Sequence, residues 1–234
     1  MKRALLALTS LAFLNAPLLA ADAPARVGKA PAAAVANAFD WTGIYFGAHG
    51  GYGFGNASGS VSLGGGCCSA DIDTKGLLYG LHVGARKQIG GMVLGVRLEG
   101  SKAEIDGSGA VSGGPAGLTA SHDLTYLFTG EIELGAAFDR YLPYATAGGA
   151  CGRGELSLTA PGFAATSRKY DSCGWTIGAG LDYAVTQRII TSLKYQYVDL
   201  RTGRPSFDVG GGFGVTVPVD YSAHVVKAGL SAKF

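Results

Sequence analysis

The chain has 234 residues, 39 of them glycine, with 47% hydrophobic and only 15% charged residues. That size suits one large all-β domain. Glycine without a G-X-Y period excludes collagen, and 11 Tyr with 10 Phe argue against disorder. Once Lys2 and Arg3 are set aside as part of an export signal, the remaining basic residues balance the 17 acidic ones. The mature chain is then formally neutral, with no basic field for nucleic acid.

Residues 1–21 read as a secretory signal peptide. Lys2 and Arg3 supply the positive start, residues 4–14 the apolar stretch, and Leu18-Leu19-Ala20-Ala21 a small-residue cleavage site. The apolar run is too short for a membrane helix, and Pro17 ends it. Residues 22–40 are Ala- and Pro-rich without periodicity and read as a flexible periplasmic leader. Residues 41–234 form the folded domain.

That domain is a series of period-2 segments, each a strand signal. The first, 42–54, sets Ile44, Phe46, Ala48, Tyr52 and Phe54 against Tyr45, Gly47, His49 and Gly51. The second, 75–86, sets Leu77, Tyr79, Leu81, Val83 and Ala85 against Gly80, His82, Gly84 and Arg86. The third, 92–101, alternates Leu94, Val96 and Leu98 with Gly95, Arg97, Glu99 and Ser101. The fourth, 123–137, alternates Tyr126, Phe128, Ile132 and Leu134 with Thr125, Thr129, Glu131 and Glu133.

The fifth, 144–151, is too small and glycine-rich for its faces to be read. The sixth sets Trp175, Ile177, Ala179, Leu181, Tyr183 and Val185 against Gly174, Thr176, Gly178, Gly180 and Asp182. The seventh, 189–199, sets Leu193, Tyr195 and Tyr197 against Ser192, Lys194 and Gln196. The eighth carries His224, Val226, Ala228, Leu230, Ala232 and Phe234 on one face and Lys227 on the other, and it runs to the last residue. A terminal strand must pair or leave an open edge, and pairing it with the first strand closes a barrel.

Short links near 88–91, 139–143 and 186–188 alternate with Gly/Ser-rich links of roughly 14 to 20 residues. Charges share a face with the glycines, and the bulky apolar groups occupy the other. A soluble barrel puts its apolar side chains inside. Here they must meet lipid. The expected fold is all-β: an eight-stranded antiparallel up-and-down transmembrane β-barrel in the bacterial cell outer membrane. Tyr52, Phe54, Trp175, Tyr183 and Phe234 are its expected interface anchors.

With its outward face apolar, the chain is similar to the small opacity-protein-like (porin-family) outer-membrane β-barrel surface proteins of Gram-negative bacteria. The resemblance is carried by Trp41-Thr42-Gly43-Ile44-Tyr45-Phe46-Gly47, Leu142-Pro143-Tyr144 and Gly174-Trp175-Thr176-Ile177-Gly178-Ala179-Gly180. Tyr195-Gln196-Tyr197-Val198-Asp199-Leu200, Lys227-Ala228-Gly229-Leu230 and the terminal Phe234 complete it, in order from Trp41 onward. It implies insertion by the outer-membrane assembly machinery, which reads the C-terminal strand and Phe234. Ala232 stands where the family tends to have an aromatic residue, which weakens that signal. The family tends to carry acids on the third strand and arginines on the fourth. Here Arg97 and the pair Glu131 and Glu133 exchange those places, which preserves the pairing.

Arg97, Glu99, Glu131, Glu133, Asp182, Lys194 and Lys227 are expected inside the barrel at similar heights. Opposite charges in a dry lumen must pair, so they read as a belt that plugs it. The other reading is a charged constriction in a narrow passive pore. His49 and His82 face inward on neighbouring strands without a carboxylate or cysteine at ligand spacing, so they read as hydrogen-bonded interior histidines rather than a metal or haem site. Ser121-His122-Asp123 cannot converge as a catalytic trio while its members alternate across a strand. The run Gly50-Gly51-Tyr52-Gly53-Phe54-Gly55 has no helix to receive a phosphate. No catalytic residue, metal or cofactor is expected. Four cysteines allow several pairings. Cys151–Cys173 is the expected cross-strand disulfide, with Cys67 and Cys68 either bridged to each other or thiols.

The expected role is envelope stabilisation and display of four extracellular loops to a host or environmental ligand. The expected partners are outer-membrane lipids, lipopolysaccharide, the assembly machinery and a possible host surface ligand. A narrow pore and a lipid-modifying barrel enzyme are the alternatives.

Overall fold

The computed structural model describes residues 39–63, 66–112, 119–159, 166–203, 206–208, 214–216 and 219–234, with the side chains at 60–68 and 202–219 left out. The expected signal peptide and nearly all of the expected leader lie outside these residues, as do the side chains of Cys67 and Cys68. Ten strands follow in order: β1 (Gly43–Leu63), β2 (Gly66–Ile89), β3 (Met92–Ala110), β4 (Thr119–Ala136), β5 (Tyr141–Thr159), β6 (Thr166–Ala184), β7 (Ile189–Gly203), β8 (Ser206–Asp208), β9 (Gly214–Thr216) and β10 (Val219–Lys233). Eight close into a barrel in the order β1-β10-β7-β6-β5-β4-β3-β2, while β8 and β9 pair separately. Every barrel pairing is antiparallel, and β1 meets β10 from Tyr45↔Lys233 to Gly59↔Val219. The terminal residue finishes the seam, with Phe234 N–H donating to Ile44 O at 2.9 Å.

The outward face of the lower barrel is apolar. Leu98 is 62% exposed and Ile132 61%, on the same strands whose inward Arg97 and Glu131 are buried. This band runs up to Phe54, Leu77, Gly100, Tyr126, Cys151, Trp175, Tyr197 and His224, and is the part of the barrel that lies in the bilayer. Polar residues take over on that face above it: Asn56, Lys75, Lys102, Asp123 and Arg153.

The strands do not stop there. They run 15 to 24 residues, whereas about 9–11 tilted residues span a bilayer. The Gly/Ser-rich segments expected as loops are largely strand: β1 continues to Leu63, β2 begins at Gly66, β3 reaches Ala110 and β4 starts at Thr119. Above the membrane the alternation continues, on β4 after a register shift between Leu124 and Tyr126 that turns Leu124 rather than the expected Thr125 inward, but the apolar and polar faces exchange. Ala57, Ile72, Ala103, Ile105, Ala120, Leu124 and Leu156 point inward and are buried. Water surrounds this part, so it carries its apolar core inside like any soluble barrel.

Two further differences are small. The fifth strand begins at Tyr141 rather than 144, because Leu142 and Tyr144 alternate inward around an outward Pro143. Phe39, read as leader, is buried with Trp41 at the periplasmic mouth. The two rings pack edge to face at 4.6 Å, and Trp41 Nε1 donates to Asp139 O at 3.1 Å. An apolar pair tethered this way belongs to the barrel.

Candidate functional site: the lumen

All seven side chains expected in the belt meet in one buried network. Arg97 Nε lies 2.7 Å from Glu133 Oε1, and Arg97 Nη1 lies 3.4 Å from Glu99 Oε1. Lys194 Nζ sits 3.1 Å from Glu99 Oε1 and also bonds Glu131, while Lys227 Nζ lies 2.5 Å from Glu99 Oε2. Asp182 is engaged by a residue left out of the expected belt. Arg86 reaches it at 2.7 Å through Nη2 and binds Glu133 through Nε at 2.9 Å. The signal for Arg86 was present, since it continues the inward series Gly80, His82, Gly84. With Arg86 included, each buried cation has a carboxylate.

Uncharged groups complete the network. Tyr45 Oη donates to Glu133 at 2.8 Å, and Gln196 Nε2 donates to Glu131 Oε1 and Thr176 Oγ1, both at 2.8 Å. The Arg86 guanidinium lies 4.4 Å from the Tyr45 ring centroid, and Arg97 lies 5.3 Å from that of Tyr144. These rings fit because of what faces them. A Cβ on Gly84 would stand 2.3 Å from Tyr45 Oη, and one on Gly180 would stand 2.5 Å from the Tyr144 ring.

The belt is closed above and below. Beneath it, Phe39, Trp41, Val93, Leu142, Tyr144, Ala184 and Ile190 form one apolar cluster. Above it, Leu78, Ile105, Leu124, Leu127, Val198, Leu200 and Val225 belong to another.

The two interior histidines are in contact. His49 Nδ1 lies 3.3 Å from His82 Nδ1, and their other ring nitrogens bond Ser101 Oγ at 2.8 Å and Ser231 Oγ at 2.7 Å. All four nitrogens have hydrogen-bond partners from the protein. His122 points into the upper core, where its Nε2 lies 2.5 Å from Tyr170 Oη, while Asp123 points out. Burial holds His122 down to about 4. Ser121, His122 and Asp123 therefore do not converge. Cys151 and Cys173 pair in register and form a disulfide on the outward face. The expected anchors Tyr52, Phe54, Trp175, Tyr183 and Phe234 are all exposed on the outside.

A closed antiparallel ring with an outward apolar band and a polar lumen defines an eight-stranded outer-membrane β-barrel. The chain belongs to the outer membrane protein beta-barrel domain family, whose model matches residues 7–234. It is 29% identical over 250 residues to the 31 kDa outer-membrane immunogenic protein of Brucella melitensis biotype 1, covering all of both chains. It is 28% identical to the 22 kDa outer membrane protein of Rhizobium leguminosarum bv. viciae, covering 86% of this chain and 82% of that one. Among solved structures, the outer membrane protease OmpT of Escherichia coli shares the fold with a TM-score of 0.50 at 9% identity, covering 82% of this chain and 97% of that one. The protein resides in the outer membrane of a Gram-negative bacterium.

Proposed function

We propose that this barrel is a closed, non-enzymatic surface protein that strengthens the outer membrane and displays its extracellular end to the surroundings. One observation carries the reading: a neutralised belt of buried ion pairs lies between two apolar layers in the lumen. A conducting path needs a continuous wetted lining, and apolar constrictions oppose wetting. The upper barrel, with its own apolar core, suits a rigid mount for the loop tips. The relatives named as immunogenic outer-membrane proteins agree with surface exposure. The alternating trio at 121–123 and the bonded histidine pair offer no nucleophile with a base, which supports a non-catalytic role. The lipid-facing band fits outer-membrane lipids and lipopolysaccharide as its surroundings. A seam that closes only when β10 meets β1 fits an assembly machinery that acts on the C-terminal strand.

The test is single-channel recording of refolded protein in a planar bilayer at two salt concentrations. Insertion without current is expected. Steady ohmic openings that scale with salt would replace this reading with the narrow pore.

A further inference from the structure

Just below the outer rim of the lipid-facing band, aromatic side chains of β1 and β7 converge on His224 of β10. The Phe54 ring stacks on its imidazole at 5.4 Å and 19°. The Tyr197 ring lies 5.1 Å away, Tyr195 Oη lies 2.6 Å from its Nδ1, and Trp175 extends the row 5.4 Å beyond Tyr197. Immediately above this platform is a cleft of about 250 Å³ lined by Tyr197, Asn56, Ser222, Asp199, Arg201 and Asp220. Asp199 stands out among them. Its residue is only 6% exposed, and Arg201 clamps both its oxygens, Nε to Oδ1 at 2.6 Å and Nη2 to Oδ2 at 2.8 Å. Asp220 adds a second carboxylate within electrostatic reach of Arg201.

We propose that this cleft binds a pyranose ring, of either a neutral or an amino sugar. A sugar presents an apolar C–H face and a rim of hydroxyls that both donate and accept. Tyr197, braced by the platform, offers aromatic surface at one end of the cleft, with directional polar groups at the other, as in small-ligand sites generally. A bidentate Arg–carboxylate pair fixes acceptor oxygens in place, and a carboxylate held this way keeps further lone pairs for hydroxyls. Asn56 and Ser222 supply neutral donors and acceptors across the cleft. The charge argues against a phosphate, which would meet two carboxylates against one guanidinium. The site assigns a role to Tyr195-Gln196-Tyr197-Val198-Asp199-Leu200, which the lumen uses only through Gln196 and the buried Val198 and Leu200. The pyranose has two possible sources, the saccharide headgroup of a glycolipid in the surrounding leaflet and a soluble glycan. The inference does not depend on whether the lumen conducts.

The experiment uses full-length mature protein in phospholipid nanodiscs, followed by NMR at the Asn56 side-chain amide and the His224 ring. One arm titrates methyl β-glucoside and methyl β-glucosaminide. A second builds the nanodisc with rough lipooligosaccharide and adds no sugar. Saturable shifts at Asn56 and His224 are expected in at least one arm. Shifts in the second identify a leaflet glycolipid, and shifts in the first alone identify a soluble glycan. Asn56→Ala, alone and with Asp220→Asn, is expected to weaken saturable binding at least tenfold, with barrel folding unchanged by heat-modifiability on gels. No saturable shift in either arm, or binding that survives the double variant, overturns the proposal. An equal response to choline chloride also overturns it, because the cleft would then be a cation–aromatic site.

Discussion

Glu99 receives two lysines at once, Lys194 on Oε1 at 3.1 Å and Lys227 on Oε2 at 2.5 Å. The two ammonium groups come from β7 and β10, across the lumen from β3. Glu99 also meets Arg97, so it joins the lysine half of the belt to the arginine half. Buried charges are costly when unpaired, and removing one partner of a buried pair destabilises by about 3–5 kcal/mol.

Glu99→Gln should therefore lower barrel stability by about that amount, because it leaves Lys194 and Lys227 to share Glu131. Urea unfolding in detergent micelles, followed by Trp fluorescence, measures it. A loss below 1 kcal/mol would show that water reaches the belt and screens the lysines.

Gly84 makes room for the Tyr45 ring, with a Cβ there falling inside van der Waals contact of Oη. Gly84→Val should expel the ring from its place against Arg86 and detach Oη from Glu133. The expected loss is about 1–3 kcal/mol from overpacking, plus the unsatisfied carboxylate lone pair. A double variant adding Tyr45→Ala should recover part of that loss, since the clash is gone. Equal stability of single and double variants would contradict this packing.

The Cys151–Cys173 bond joins positions 22 apart in sequence, on either side of the connection between β5 and β6. Closing a loop of that size in the unfolded chain is worth about 3 kcal/mol in the chain-entropy view. Reduction, or replacement of both cysteines by serine, should lower the urea midpoint accordingly without changing the β content seen by circular dichroism. An unchanged midpoint would mean that the paired strands already restrict the unfolded ensemble.

His122 lies in the upper core, outside the membrane, and burial keeps its folded-state value near 4 against 6.5 for the free side chain. The folded state holds the ring neutral while the unfolded state takes up a proton below 6.5. Its contribution is thus full above pH 6.5 and shrinks as the pH falls toward 4, by up to about 3 kcal/mol. Hydrogen exchange in the extracellular half of β4 should accelerate over that window. His122→Phe should abolish that local acceleration.

The bilayer-spanning half of this fold was legible because lipid enforces the pattern: outward Leu94, Val96 and Leu98 against inward Arg97 and Glu99 leave one solution. The upper half was not legible for a specific reason. At 56–58 and 69–75 the outward positions are mostly polar and the inward ones include residues as small as Ala57, so these stretches have the composition of a loop. Their period-2 order survives only in sparse pairs such as Ile72 and Thr74, which short windows do not detect. Arg86 was missed because its pairing with Asp182, 2.7 Å away across the lumen, is a tertiary contact that the alternation along one strand does not reveal. Phe39 gives no periodic signal at all. Its place follows from the tertiary contact with Trp41.

Since the alternation exchanges faces at the membrane boundary, the protein has two opposite rules for what a given side of a strand tolerates. On β4, a carboxylate facing inward at 131 completes the belt, whereas one facing inward at 124 would enter an apolar core. Outward positions reverse the rule: Ile132 needs lipid solubility and Asp123 needs none. Variation that leaves folding intact is thereby steered to the outer surface of the upper half of the barrel. The geometry that protects the lumen from change leaves the visible surface free to drift.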